Sequence, residues 1–168
     1  DILHRSPVCD QSGPMRFVLS LLVVLIAAPV LAAGWSSYHN AHYGASADVP
    51  PGYTALGAED PHGKGQTFGN KQRSSLVTIY GDNVPNHNFE AYVEQLIKDL
   101  KAFEGWNVQG KRVTPDWAEL DASSGRTMLR VRIVAGCNGS RVAIAKYQGS
   151  IDNTLVSHLF RSLKSDGC

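Results

Sequence analysis

This sequence lacks a surplus of charge of either sign. Lys and Arg number 16 against 15 Asp and Glu, a net charge of +1. No strong field therefore argues for nucleic acid, an anionic membrane or an acidic substrate. Internal repeats and low-complexity tracts are also missing, and the composition is that of an ordinary globular protein. No stretch carries a motif that commits to a reaction. Gly44-Ala-Ser46-Ala-Asp48 resembles part of a nucleophile elbow, but Asp48 stands where the motif needs glycine, and Pro50-Pro51 follows. His39 and His42 are spaced by three in a polar turn, which does not supply the three or four convergent ligands of a zinc site. Glu119 and Asp121 alternate along one strand and read as an exposed polar face rather than as a glycosidase pair. The expectation is therefore no catalytic residue, no metal and no cofactor.

What is present begins at Met15. Arg16 is followed by the apolar run Phe17–Ala28 and then by Pro29-Val30-Leu31-Ala32-Ala33. A positive start, an apolar stretch and small residues at the end make a secretory signal peptide over residues 15–32, cut after Ala32 or Ala33. The run is short for a spanning helix, which needs about 20 residues, and Pro29 interrupts it. Residues 1–14 read as an upstream extension. No cysteine stands at the cut, so no lipid anchor is expected, and the product should be periplasmic or secreted. Of the three cysteines, Cys9 lies upstream, leaving Cys137 and Cys168. An even pair in an exported protein reads as a disulfide.

Residues 33–168 read as one domain. Short strands are expected at 35–38 and 44–49, a loop from 53 to 64, an edge strand at 66–68 and a buried strand at 76–80. Phe89, Tyr92, Val93, Leu96, Leu100 and Phe103 recur at the helical period, with Asn88 as N-cap and Gly105 as the stop. Strands follow at 106–113, 117–122, 127–135 and 142–147. A last helix, capped by Ser150, carries Ile151, Leu155, Leu159 and Leu163 on one side. Strands, helix, strand meander and helix make an α+β class, an antiparallel sheet with helices packed on it.

Charge is polarised along this domain. From Trp106 onward nine Lys or Arg face five Asp or Glu, whereas from Gly34 to Gly105 five face eight. Arg130 and Arg132 project from one face of the best-marked strand, with Arg126, Arg141 and Lys146 on neighbouring elements. Arg130, Arg132, Arg141 and Lys146 are thus the expected patch for an anionic ligand or an acidic protein partner. The competing reading is a small periplasmic hydrolase whose site one sequence does not reveal.

The order Trp35…Tyr38…Asn40…Tyr43-Gly44…Asp48-Val49-Pro50, then Gly65–Phe68, Leu76–Gly81, Gly105-Trp106 and the spaced Cys137 and Cys168, resembles a family of small exported alphaproteobacterial proteins. It also resembles the PsbP-like α-β-α sandwich, shared by an extrinsic photosystem subunit and a nuclear-transport accessory protein. The resemblance implies an accessory or binding role without catalysis. Lys64 departs from the acidic turn expected before Phe68, which argues against a cation there.

Overall fold

The structure, a computed structural model, describes residues 34–150, 152–166 and Cys168. The expected signal peptide and upstream extension lie outside the described residues. The elements run β1 (Ser36–Asn40), β2 (Ala45–Val49), β3 (Thr54–Ala55), β4 (Gly65–Gly69), β5 (Leu76–Asn83), α1 (Phe89–Ala102), β6 (Asn107–Val113), β7 (Trp117–Ser124), β8 (Thr127–Gly136), β9 (Arg141–Gly149), α2 (Asn153–Ser162) and β10 (Lys164–Ser165). Seven strands form one antiparallel sheet in the order β3-β4-β5-β9-β8-β7-β6, and β1-β2-β10 form a smaller one. The class is α+β, an α-β-α sandwich.

The alternation of the strands decides which helix covers which face, because neighbouring residues on a strand point to opposite sides. In β8, Leu129, Val131 and Ile133 are buried beneath α1 with Leu120 of β7 and Ile144 of β9. On the other face, Val77 and Ile79 of β5 join Ala143, Ala145 and Tyr147 of β9 under Val156, Leu159 and Phe160 of α2 and Ala45, Ala47 and Val49 of β2.

Both helices differ in detail from the periodicity. Asn88 caps α1 as expected, its side chain accepting from the Ala91 N–H. The buried stripe is Phe89, Val93, Ile97 and Leu100, while Phe103 is 84% exposed. Position 97 falls on the buried side at 3.6 residues per turn, whereas Phe103 lies past the last helical residue, at the C-cap. The cap of α2 is Asp152 rather than Ser150; its carboxylate accepts from the Leu155 N–H at 3.0 Å. Ile151 lies outside the described residues. Thr54–Ala55 pairs with β4, so the 66–68 strand is not the edge. Cys137 and Cys168 are bridged, with Cα atoms 5.1 Å apart.

Candidate functional site: an arginine-lined cleft beside α2

α2 packs on β2 and β9. Ten residues of helix are too few to cover all seven strands, so the same face of β6, β7 and β8 stays open beside it. Arg112, Glu119, Arg130, Arg132, Val156, Ser157, Phe160 and Arg161 line the resulting cleft of about 420 Å³.

The sheet register builds its floor. Arg112 of β6 lies opposite Glu119 of β7, which lies opposite Arg132 of β8, which lies opposite Ala145 of β9. One step along, Asp121 lies opposite Arg130. Directly opposed residues share a face and touch. Arg132 Nη1 donates to Glu119 Oε1 at 2.5 Å, and Arg112 donates to the other carboxylate oxygen. Arg130 Nε donates to Asp121 Oδ1 at 2.7 Å. Arg130 also stands over the Phe160 ring, 5.9 Å from its centroid. Trp117 carries Arg132 at 4.2 Å and Arg112 at 5.4 Å from its ring centroid, in cation–π range.

Glu119 is the inner charge of this row, its side chain 17% exposed. Burial alone would push its carboxyl up; the hydrogen bonds and charges of Arg112 and Arg132 outweigh that and hold it below the usual carboxylate range. The carboxylate thus fixes two guanidiniums side by side. Arg132 Nε is buried without a hydrogen-bond partner among the described residues; such a donor costs about 1–3 kcal/mol. Arg161, exposed in the last turn of α2, makes no ion pair among the described residues. Four guanidiniums therefore face the carboxylates of Glu119 and Asp121, and the surplus is positive. Among the described residues the only hydroxyl in the lining is Ser157, and no histidine lines the cleft.

The structure brings Arg130 and Arg132 together and separates the other two expected members of the patch. Lys146 lies opposite Val131, a residue of the α1 face. Its ammonium accordingly sits on the far side of the sheet, 3.0 Å from Glu104 and 5.6 Å from the centroid of the Tyr80 ring. Arg141 lies opposite Gly136, at the disulfide end of β9, four residues from Ala145 and so about 13 Å along the strand from the cleft. Arg112 and Arg161 take their places. The signal for Arg112 was its two-residue offset from Gly110 on a strand facing Glu119, and it needed the register across the β6 bulge at 108–110 to be read.

The sequence candidates Ser46, His39 and His42 do not line the cleft. Ser46 Oγ donates to Asp166 rather than to an imidazole. Among the described residues no group of three His, Cys, Asp or Glu stands close enough to hold a metal ion. His158 joins Asp48 at 2.8 Å and stacks on Trp35, ring centroids 3.8 Å apart, tying α2 to the N-terminal strands.

Solved structures share this fold. The solution structure of cyanobacterial PsbP (CyanoP) from Synechocystis sp. PCC 6803 is similar at a TM-score of 0.61 and 10% identity, over 82% of this chain and 96% of that one. The fold is PsbP-like. The Ran-binding protein Mog1p of Saccharomyces cerevisiae is similar at a TM-score of 0.58 and 9% identity, over 79% of this chain and 96% of that one. At these identities the PsbP-like likeness concerns the fold alone. No family model matches the sequence, and no curated protein matches it.

Proposed function

We propose that this protein is a non-catalytic binding or accessory protein of an extracytoplasmic compartment, and that the cleft beside α2 receives an anionic ligand, the acidic segment of a protein partner. The observation that carries this is the set of four arginines, two of them held in place by Glu119, with Arg161 unpaired at the rim. Guanidiniums fixed in advance by a half-buried carboxylate and an indole lose little freedom when they meet a second carboxylate. The open, half-apolar lining of Phe160 and Val156 suits a peptide side chain lying beside its carboxylates. A hydrolase would need a nucleophile in contact with a base, and Ser157 has none in the lining.

Export is supported by Arg16, the apolar run and Ala32, by the likeness to small exported alphaproteobacterial proteins, and by the Cys137–Cys168 bond, which belongs to oxidising compartments. No helix among the described residues is long and apolar enough to cross a membrane. One fold neighbour is a Ran-binding protein by name, so the same scaffold serves protein binding elsewhere.

The test is titration of the secreted protein with a hexaglutamate peptide, followed by tryptophan fluorescence, since Trp117 lies under Arg132 and Arg112. Saturable binding that weakens with salt, and that Arg161→Gln lowers several-fold at unchanged melting temperature, is expected. Absence of saturable binding at low salt overturns the reading. Arg130 and Arg132 are poor probes, because each is bonded to a carboxylate and its loss would also unsettle the sheet. N-terminal sequencing of the secreted product should start at Ala33 or Gly34; retained Met15 would contradict export.

A further inference from the structure

A second groove, of about 580 Å³, runs between the end of β5 and the outer side of α1. It lies on the α1 side of the sheet, opposite the arginine cleft, and its chemistry is the reverse. Among the described residues its lining contains no Lys, Arg or His; it is built from Asp82, Asn83, Asn86, Asn88, Tyr92, Gln95 and Asp99, with Pro85 and Ala91 between them.

Consider what such a lining excludes. An anion would meet two carboxylates and no cation in the wall. A metal ion would need a group of three His, Cys, Asp or Glu, and none exists among the described residues. Asp82 is already balanced, by Lys64 at 3.2 Å and by the Tyr92 hydroxyl, which donates to it at 3.2 Å. Asp99 accepts from the Gln95 amide at 2.8 Å. Besides the Asp99 carboxylate, what remains is the hydrogen-bonding capacity of neutral amides. The Asn83 and Asn86 side-chain amides are exposed and make no hydrogen bond among the described residues. Each offers a planar pair of donor and acceptor, and the carboxylates offer further acceptor positions. Paired donors and acceptors of this kind match adjacent hydroxyl groups, which both donate and accept.

A second observation extends the groove. Phe103 is the one large apolar side chain fully exposed among the described residues, at 84%. Tyr92, Asp99 and Phe103 are separated by seven and then four residues, so they stand in one line along α1. The helical hydrogen bond from Phe103 N–H to Asp99 O keeps Phe103 on that line. From Tyr92 to Phe103 the rise is about 16 Å, longer than a single small molecule needs. An aromatic ring at the end of a row of amides and carboxylates provides an apolar surface for the C–H face of a ring whose edge carries hydroxyls, and the negative ring face attracts those polarised hydrogens.

We propose that this groove binds a neutral oligosaccharide, lying along α1 with its hydroxyls on Asn83, Asn86, Gln95 and Asp99 and one ring on Phe103. The proposal does not depend on the anionic-ligand reading of the other cleft. It is tested with the secreted protein on an array of neutral and sulfated oligosaccharides, in the presence and absence of EDTA. Retention of neutral members, unaffected by EDTA, is expected. Phe103→Ala and Gln95→Ala should each weaken it about ten-fold or more at unchanged melting temperature, whereas Arg161→Gln should leave it unchanged. Retention of no neutral member, retention of sulfated members alone, loss on adding EDTA, or full retention by Phe103→Ala would each overturn the proposal. If the neutral glycans bind and hexaglutamate does not, the first cleft fails alone; the reverse result fails this groove alone.

Discussion

Gly136 packs directly against Ser165: a Cβ at Gly136 would lie 2.1 Å from Ser165 Oγ and 3.0 Å from the Ser165 carbonyl oxygen. This contact seats β10 on the end of β8, next to the disulfide. Gly136→Ala should therefore lift β10 away, at a cost of about 1–3 kcal/mol, as overpacking does. The backbone there is extended, with φ −141°, so the penalty comes from collision and not from dihedral strain. Urea unfolding measures it; a change below about 0.5 kcal/mol would mean that β10 yields freely.

The same corner is closed covalently. Cys137 and Cys168 are 31 residues apart in sequence. The chain-entropy account gives about 3–4 kcal/mol for a loop of that size. Cys168→Ser should lower stability by that order, and the wild-type protein made in an oxidising compartment should show no alkylatable thiol from this pair under non-reducing conditions. Two free thiols by mass spectrometry would contradict the bond.

Leu100 near the end of α1 and Phe103 at its C-cap differ sharply in burial. Leu100 is fully buried against the sheet and Phe103 is in solvent. Leu100→Ala should cost about 2–5 kcal/mol, as core truncations do. Phe103→Ala should stay within about 0.5 kcal/mol of wild type. Equal losses at both positions would place α1 in a different register from the one described.

Glu119 makes stability depend on pH. Its folded carboxyl titrates lower than an unfolded one, because Arg112 and Arg132 favour the charge more than burial opposes it. A depressed value contributes stability above the unfolded pKa and loses it as pH falls through the folded one. The stability gap between wild type and Glu119→Gln should thus be largest near neutrality and shrink below about pH 4.3. Denaturant unfolding from pH 7 to pH 2 tests it; a gap that stays constant would show that the carboxylate is not tuned by its arginines.

Much of this molecule could be read along the chain. Alternation in β8 marks Leu129, Val131 and Ile133 as one face and Arg130 and Arg132 as the other, and the structure buries the first set and opens the second. Asn88 and its following apolar positions mark the start of α1, since a capping side chain and a 3.6-residue stripe are local properties. The pairing of Cys137 with Cys168 follows from their being the two cysteines left downstream of Met15. These features depend on neighbours within a few residues, or on counting, so composition and spacing determine them.

The membership of the cleft was decided elsewhere. Lys146 and Arg130 both belong to neighbouring strands of the same charge-rich half, yet they lie on opposite faces, because the β8–β9 register sets Lys146 against Val131 and Arg130 against Tyr147. A shift of one residue would have exchanged those faces. Arg112 enters through a bulge in β6, and Arg161 through the angle at which α2 lies on β9. The sequence by itself determined most of the elements and their apolar faces, set by short-range periodicity, and the disulfide, set by the count of cysteines. Which charges meet, and which are cancelled by Glu119 and Asp121, was decided only when the strands paired, because an ion pair is a property of two segments in register and neither segment carries it alone.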